Sequence, residues 1–388
     1  MIRHYVRNAL IAAGLLAFSI PTASAQFYRP EKPDAFMRDN AKIKSIVKPV
    51  LAEVAKSVVK ILADGKEVCL GTVVDSDGWI ITKVSELRSE KLKVKFKDGR
   101  EFEPKIIGVD DRNDVALLKI NASNLPVVDW RDSKTAKLGN FVLTPGTDGD
   151  VIAIGVVGVL TKQMKMSDYP VANRSRNSGW LGVSLEPTKN GVQIKTLVKD
   201  GAASKAGLKT EDVVLSVEGR KVADSETMIF YLLRYRVGEE VSLKVRRGEE
   251  ELDITATLGK RPSEFQAMGL DRGQFQNGIH KELSDVNIGF PVALQHDSVL
   301  KAREVGGPLV DLDGKVIGIN IASAGRVDSY AIPSEVIQSL LVELKSGKLA
   351  PVKIVKRTEA KKPEEKKIED KKPEEKKPTV TPQGTSNK

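Results

Sequence analysis

The chain is poor in the residues that build disulfides, metal sites and base-stacking surfaces. Its 388 residues include one cysteine, three histidines and only 5% aromatic residues. The lone Cys69 excludes an intramolecular disulfide. Beyond residue 25 only His280 and His296 remain, and two distant histidines with one cysteine make a poor zinc site. We therefore expect no metal and no cofactor, and we interpret Cys69 as an ordinary core thiol.

The charge is unbalanced but well mixed. Lysine and arginine exceed the carboxylates, which gives a net charge of +10. Such an excess can indicate a nucleic acid or another anionic partner. Carboxylates are nevertheless interleaved almost everywhere, and aromatic side chains that could stack on bases are sparse. We therefore expect no nucleic-acid partner.

Long hydrophobic runs are absent except at the N-terminus. Arg3 and Arg7 precede an apolar run from Ala9 to Ile20, and Ala23-Ser24-Ala25 offers a small-residue cleavage site. The alternative is an uncleaved anchor, but about a dozen residues fall short of the roughly 20 that span a bilayer. We predict a cleaved signal peptide over 1–25, no stable membrane span, and a periplasmic or secreted protein.

What the chain does contain is a series of short β-rich runs between about 43 and 165. Asp-Gly pairs lie between several of them, as expected for tight hairpins. Regular short strands favour a sandwich or barrel over an α/β sheet. The clearest runs are Val68–Val74, Trp79–Thr82, Leu92–Phe96, Val115–Ile120 and Val151–Ile154.

A second unit, 178–260, combines strand-like segments with one predicted helix, Ser225–Arg236, which begins at a Ser/Asp cap and stops before Gly238. A polar connector of weak structure is predicted for 261–289. Strand-rich sequence returns from 290, and an amphipathic helix over Pro333–Lys348 completes a segment that ends near 350.

The two ends of the mature chain have a different composition. Residues 26–42 are polar and contain proline, which predicts an extended arm. Residues 351–388 repeat a Lys/Glu/Pro motif and contain almost no apolar side chains, so they cannot bury enough surface to fold. We predict a disordered tail there. Electrostatic tethering of this tail to the cell envelope is the functional alternative.

The strongest local motif is Gly306-Gly307-Pro308-Leu309, followed by an Asp313-Gly314 turn between two apolar runs. By itself the pattern predicts a buried hairpin preceded by a flexible glycine pair. It also closely resembles the segment that follows the nucleophile in trypsin-like proteases of the HtrA/Deg family, where the pattern is Gly-Asn-Ser-Gly-Gly-Pro-Leu.

The resemblance extends upstream in the correct order. Residues 52–61 resemble the first strand of that family, and Asp77-Gly78-Trp79-Ile80-Ile81-Thr82 resembles the approach to the catalytic histidine. Residues 110–120 resemble the catalytic-aspartate strand, and Gln295-His296-Asp297 the approach to the nucleophile loop. The resemblance implies a mainly β protein with a trypsin-like double β-barrel, its first part at 43–165 and its second at 290–350.

The catalytic triad that the resemblance implies is damaged. Asp114 matches the triad acid, whereas Ser85 occupies the histidine position and Val305 the nucleophile position. Acyl transfer needs a nucleophilic hydroxyl, an imidazole and an orienting acid. Two of these three groups are absent, and Arg303 and Glu304 replace the small residues of the oxyanion loop.

Two other pairs of residues could in principle supply a nucleophile and a base. His296 and Ser298 are two apart on a predicted strand, so they would share a face. A strand histidine beside an unreactive serine is the favoured interpretation. Ser85 and Lys83 have the same spacing, but no oxyanion donors accompany them.

The unit 178–260 resembles a PDZ domain of the HtrA type, inserted within the second barrel. Gly179-Trp180-Leu181-Gly182-Val183 resembles the carboxylate-binding loop, and residues 199–208 with Asp212-Val213-Val214 are the most specific match. Such a loop offers backbone N–H groups to a peptide carboxylate, and an open strand edge accepts the peptide. Thr227 and Tyr231, one helical turn apart, are predicted to face that groove. The alternative is a tight turn in a degenerate module.

Three functions follow as hypotheses. The first is an exported HtrA-like pseudoprotease that binds peptide segments or C-termini of envelope proteins without cleaving them. The second is an active HtrA-type serine endopeptidase in protein quality control with non-standard catalytic residues. The third is a tethering protein that acts through its tail. Resemblance to the family also implies a homotrimer, to which Phe27-Tyr28 could contribute.

Overall fold

The computed structural model describes residues 40–169, 178–189, 191–262, 283–325 and 328–351. The predicted signal peptide, most of the N-terminal arm and the Lys/Glu/Pro-rich tail lie outside these residues. The described helices are Ala41–Leu51 (α1), Ala202–Lys205 (α2), Ser225–Leu232 (α3) and Ser334–Lys345 (α4). None of the described helices is long and apolar enough to cross a membrane.

The first sheet, called the first barrel below, contains seven antiparallel strands in the order β5-β4-β1-β2-β3-β7-β6. Its inward side chains, including Ile61, Ile80 and Leu118, form one hydrophobic cluster. The Asp-Gly turn before β3 requires glycine at position 78, because its φ is +98° and a Cβ there would lie 2.5 Å from the Ile120 carbonyl oxygen. The strands are Val58–Ala63 (β1), Lys66–Asp75 (β2), Trp79–Lys83 (β3), Leu92–Lys95 (β4), Glu101–Phe102 (β5), Lys105–Asp110 (β6) and Val115–Lys119 (β7).

The second sheet closes into a six-stranded barrel in the order β16-β19-β18-β17-β8-β9. Two of its strands precede the middle module in sequence, and four follow it. Closure depends on the pairing of β9 with β16 across that module. The strands are Phe141–Pro145 (β8), Val151–Gln163 (β9), Val292–His296 (β16), Pro308–Val310 (β17), Val316–Ser323 (β18) and Ser329–Pro333 (β19).

The middle module has its own sheet and its own core. The main strand order is β10-β11-β12-β14-β15, and β13 pairs with β12, so β10 is an edge strand. Seventeen buried residues around Val192, Val214 and Leu243 form a cluster separate from both barrels. The strands are Val183–Thr188 (β10), Gly191–Leu197 (β11), Val213–Val217 (β12), Arg220–Lys221 (β13), Glu240–Arg247 (β14) and Glu250–Thr257 (β15).

The helix of this module is shorter than the sequence predicts. Its cap is confirmed, because the Asp224 side chain accepts a hydrogen bond from the Thr227 N–H at 2.7 Å. It ends at Leu232 rather than Arg236, since the N–H groups of Arg234 and Tyr235 bond to carbonyls three residues back, as in a tightened last turn.

The end of the predicted polar connector also differs from expectation. Val286 and Ile288 are almost completely buried in a hydrophobic cluster shared by the first sheet and the second barrel, and Asn287 is buried beside them. The Ser284 N–H donates to the Ser323 carbonyl at 3.0 Å. This short stretch without regular secondary structure therefore packs as part of the protein interior.

Candidate functional site

The retained triad acid lies at the point where β6 turns into β7. Asp114 has a positive φ of +58°, a conformation that aspartate tolerates better than most residues. Its carboxylate is completely buried. Oδ1 accepts from the Ser85 backbone N–H at 2.9 Å, and Oδ2 accepts from the Ser85 hydroxyl at 2.9 Å and from Lys83 Nζ at 2.5 Å. In these contacts the acid holds a serine and an ammonium group.

Lys83 neutralises Asp114 from the last position of β3. Both side chains have no exposed surface, and Nζ also donates to the Val286 carbonyl at 2.8 Å. A buried charge needs such a partner and such hydrogen bonds, because burial without them is costly. The spacing of the sequence suggests Lys83 only as a partner of Ser85 in a catalytic dyad. The structure instead directs the Ser85 hydroxyl to Asp114, which already pairs with Lys83.

The nucleophile position is filled by packing rather than chemistry. Val305 is fully buried, and its carbonyl accepts from the Leu70 N–H at 2.8 Å. The adjacent Gly306 has φ +89°, and a Cβ there would lie 2.0 Å from the Leu70 carbonyl oxygen. Its N–H donates to the Asn320 carbonyl at 2.6 Å. The glycine is therefore required for the backbone path, although the valine side chain has no reactive atom.

The substitute nucleophiles are inaccessible. His296 and Ser298 have no exposed surface, and the Ser298 hydroxyl packs against the backbone of Gly155. Cys69 is also buried, and this burial raises the pKa of its thiol to about 12 despite a contact of 3.2 Å with the Thr82 hydroxyl. A thiol with such a pKa is a poor nucleophile. These three side chains belong to the core.

Within the described residues, no group of three or more His, Cys, Asp or Glu side chains could hold a metal ion. Titratable groups do meet beside Asp114. Burial is the largest cause that raises the pKa of Glu86 to about 7, with Asp285 and Asp114 raising it further and Lys83 and Arg88 opposing. This carboxyl lies next to the altered triad, in the turn Val84–Glu86 that follows β3.

The second candidate site is the loop that leads into β10. The Gly179 N–H donates a hydrogen bond to the Tyr235 carbonyl at 2.6 Å, and the Trp180 N–H donates to the Gly259 carbonyl at 2.9 Å. Among the described residues, the N–H groups of Leu181 and Gly182 bond to no backbone carbonyl. Gly182 adopts φ +79°. Two adjacent donors at the start of an unpaired strand edge fit the carboxylate end of an extended peptide.

The predicted groove residues on α3 have different surroundings. Tyr231 is buried in the core of the middle module and lines a cavity of about 350 Å³ between this module and the first barrel. Thr227 is half-buried on the same helix. That these two side chains contact a peptide stays a prediction. That Val183, the first residue of β10, binds the peptide also stays a prediction.

Arg234, which follows α3, was not predicted from the sequence as a site residue. Its side chain lies beside Asp114. This side chain is 5% exposed, and Nη1 lies 3.8 Å from Asp114 Oδ1. A signal for this docking exists in the run Met228–Leu233, six apolar residues in a row. A helix that is apolar all round is buried on more than one side, so α3 needed a second surface to pack against.

Family models recognise both modules. A trypsin-like peptidase domain matches residues 69–199, and a PDZ domain matches residues 179–258. The fold and the two sites therefore define a trypsin-fold protein that carries a PDZ module.

Relatives with curated descriptions agree with this class. A protein of Halomonas elongata described as "Probable periplasmic serine endoprotease DegP-like" is 26% identical, over 74% of this chain and 76% of its own length. A protein of Marinomonas sp. with the same description is 23% identical over the same shares. Among solved structures, the HtrA-type protease AlgW with a decapeptide shares 17% identity, covers 56% of this chain and 99% of its own, and has a TM-score of 0.29. The two family models and these relatives together support an HtrA/Deg family member.

Proposed function

We propose that this chain is an exported HtrA-like pseudoprotease, which binds extended segments or C-termini of envelope proteins through its PDZ module without cleaving them. The observation that carries the proposal is the state of the catalytic site. Val305 replaces the nucleophile, Ser85 replaces the imidazole, and the remaining Asp114 accepts hydrogen bonds from Lys83 and Ser85.

Catalysis by this site would need both a nucleophile and a base. The Ser85 hydroxyl donates to a carboxylate that already pairs with an ammonium group, in place of the imidazole that a triad serine uses as its base. Ser85 is also 4% exposed, which leaves a scissile carbonyl no access to it. The acylation step of a serine protease is therefore missing.

Peptide binding is supported by what the PDZ module retains. The edge of β10 is unpaired in the described residues, and the loop before it presents the N–H groups of Leu181 and Gly182. A peptide carboxylate at this loop would gain charge-assisted hydrogen bonds, while its backbone would extend the sheet. The names of the relatives place those proteins in the periplasm. The predicted signal peptide gives this chain the same destination.

Absence of catalysis is tested with a fluorophosphonate probe on the mature chain. No labelling is expected. Labelling that disappears in Ser85→Ala or in Ser298→Ala would show that one of these hydroxyls is activated, and would establish the endopeptidase alternative instead. A member of the family with an intact triad, labelled in parallel, shows that the probe is active.

Peptide binding is tested on the same chain with an array of decapeptides, each synthesised with a free carboxylate and as its C-terminal amide. The free acids should bind more tightly by roughly tenfold or more, because hydrogen bonds to a charged group contribute about 1.5–3 kcal/mol. Equal binding of acids and amides would remove the C-terminal mode, and no binding at all would overturn the proposed function.

A further inference from the structure

The PDZ module is attached to the altered catalytic site by the residues that follow its helix. Beyond its approach to Asp114, Arg234 donates from Nη2 to the Arg112 carbonyl of the first barrel at 3.0 Å. Phe230 packs its ring against Gly289, in the segment that leads into the second barrel. Leu233 packs against a hydrophobic cluster to which both the first sheet and the second barrel contribute. One short stretch of the module thus contacts both barrels.

Three ion pairs also link the PDZ module, the connector and the first barrel. Arg88 of the first barrel pairs with Glu239 of the PDZ module at 3.3 Å and with Asp285 of the connector at 3.2 Å. Arg236 pairs with the same Asp285. The Arg88 and Glu239 side chains are 16% and 8% exposed, so water screens this pair less than a surface pair.

Arg234 acts on more than one carboxylate of the first barrel, because burial raises the pKa of Asp111 and the charges of Arg220 and Arg234 oppose that rise. Lys83 already neutralises Asp114 from within the same barrel. Arg234 brings a second cation from another module to a carboxylate that is already paired. Moving a guanidinium out of water is costly unless its position is well defined by hydrogen bonds. The hydrogen bond from Nη2 to the Arg112 carbonyl, together with the ion-pair approach of Nη1 to Asp114 at 3.8 Å, favours one position of the PDZ module.

The geometry points to a new use of the old catalytic site. We propose that Asp114 and the space left by the missing imidazole form a docking site for Arg234, which latches the PDZ module onto the barrels. Ser85 is small enough to leave that space open. In this arrangement the acid orients a residue of the neighbouring module, and Arg234 is a positioning residue that fixes the relation between the peptide-binding module and the barrels.

The latch is tested by the distance between the two modules. Spin labels at Lys93→Cys on the first barrel and Lys244→Cys on the PDZ module report that distance by pulsed electron resonance, and the native Cys69 is buried and remains unlabelled. The parent should give one narrow distribution. In Arg234→Met the ratio of docked to undocked molecules should fall by roughly tenfold, as expected for loss of a hydrogen-bonded charged contact.

Arg246→Met is the matched control, since Arg246 is half-buried on β14 of the same module. It should leave the distribution unchanged. Ser85→His is an independent variant, because an imidazole beside Asp114 would compete with the guanidinium and should also release the module. Unchanged distributions in both Arg234→Met and Ser85→His, or a broad distribution in the parent, would overturn the latch. The measurement uses no peptide, so its failure leaves the proposed binding function untouched.

Discussion

The two candidate sites of this chain differ in what they present. At the positions that resemblance to the family assigns to the triad and its nucleophile loop, the strained Gly306 and the buried Asp114 are present, whereas Ser85 and Val305 stand where an imidazole and a hydroxyl are expected. The loop before β10 presents the N–H groups of Leu181 and Gly182, which no backbone carbonyl of the described residues accepts. The comparison teaches that one backbone path can carry different side chains, because function lies in the site rather than in the fold.

The largest effect is expected where the catalytic site has become structural. Lys83→Met should lower the free energy of unfolding by about 3–5 kcal/mol, because it leaves the Asp114 carboxylate buried without its internal partner. Denaturant unfolding measures this change.

Lys93→Met provides the matched control. Lys93 pairs with Glu101 on the surface and is 51% exposed, so the change should leave the free energy of unfolding almost unchanged. Equal destabilisation by the two variants would show that the Lys83–Asp114 pair has no special structural role.

A smaller effect is expected from pH through Glu86. Since burial raises the pKa of Glu86 to about 7, the folded state holds its proton more tightly than the unfolded state, whose value is near 4.5. The stabilising contribution is therefore complete below pH 4.5 and is lost as the pH rises to 7. Glu86→Gln should flatten this part of the stability curve, and at pH 8 it should be more stable than the parent by on the order of 1–3 kcal/mol.

Denaturant midpoints recorded from pH 4 to 8 decide this prediction. A parallel pair of curves for the parent and Glu86→Gln would contradict it. The Oε1 atom of Glu86 has no hydrogen-bond partner in the described residues, so the amide loses no bond there.

The smallest effect sharpens the comparison from the PDZ side. Gly182→Ala forces a side chain into a φ of +79° within the proposed carboxylate loop, which costs about 1–2 kcal/mol. Gly219→Ala imposes a similar strain at φ +74° in a turn of the same module with open space around it. Both variants should lose similar stability, but only Gly182→Ala should weaken peptide binding, by roughly fivefold or more. Fluorescence polarisation with one bound decapeptide measures the difference.

The sequence predicts the mainly β fold, which the structure confirms. Its local motifs assign Asp114, Ser85 and Val305 to the triad positions by their spacing, and that assignment stays a prediction. The sequence does not predict the docking of Arg234 or the ion pair of Lys83, since both depend on which surfaces meet after folding. The buried end of the connector at Val286 was missed for the same reason: a few apolar residues between polar ones show no strand or helix period.

The central claim is that this chain binds peptides and leaves them intact. The most direct test incubates the mature chain with decapeptides that it binds, and measures their masses over many hours beside a Ser85→Ala variant. The account predicts that all bound peptides are recovered at full length from both proteins. Cleaved products that appear with the parent and vanish with Ser85→Ala would contradict it.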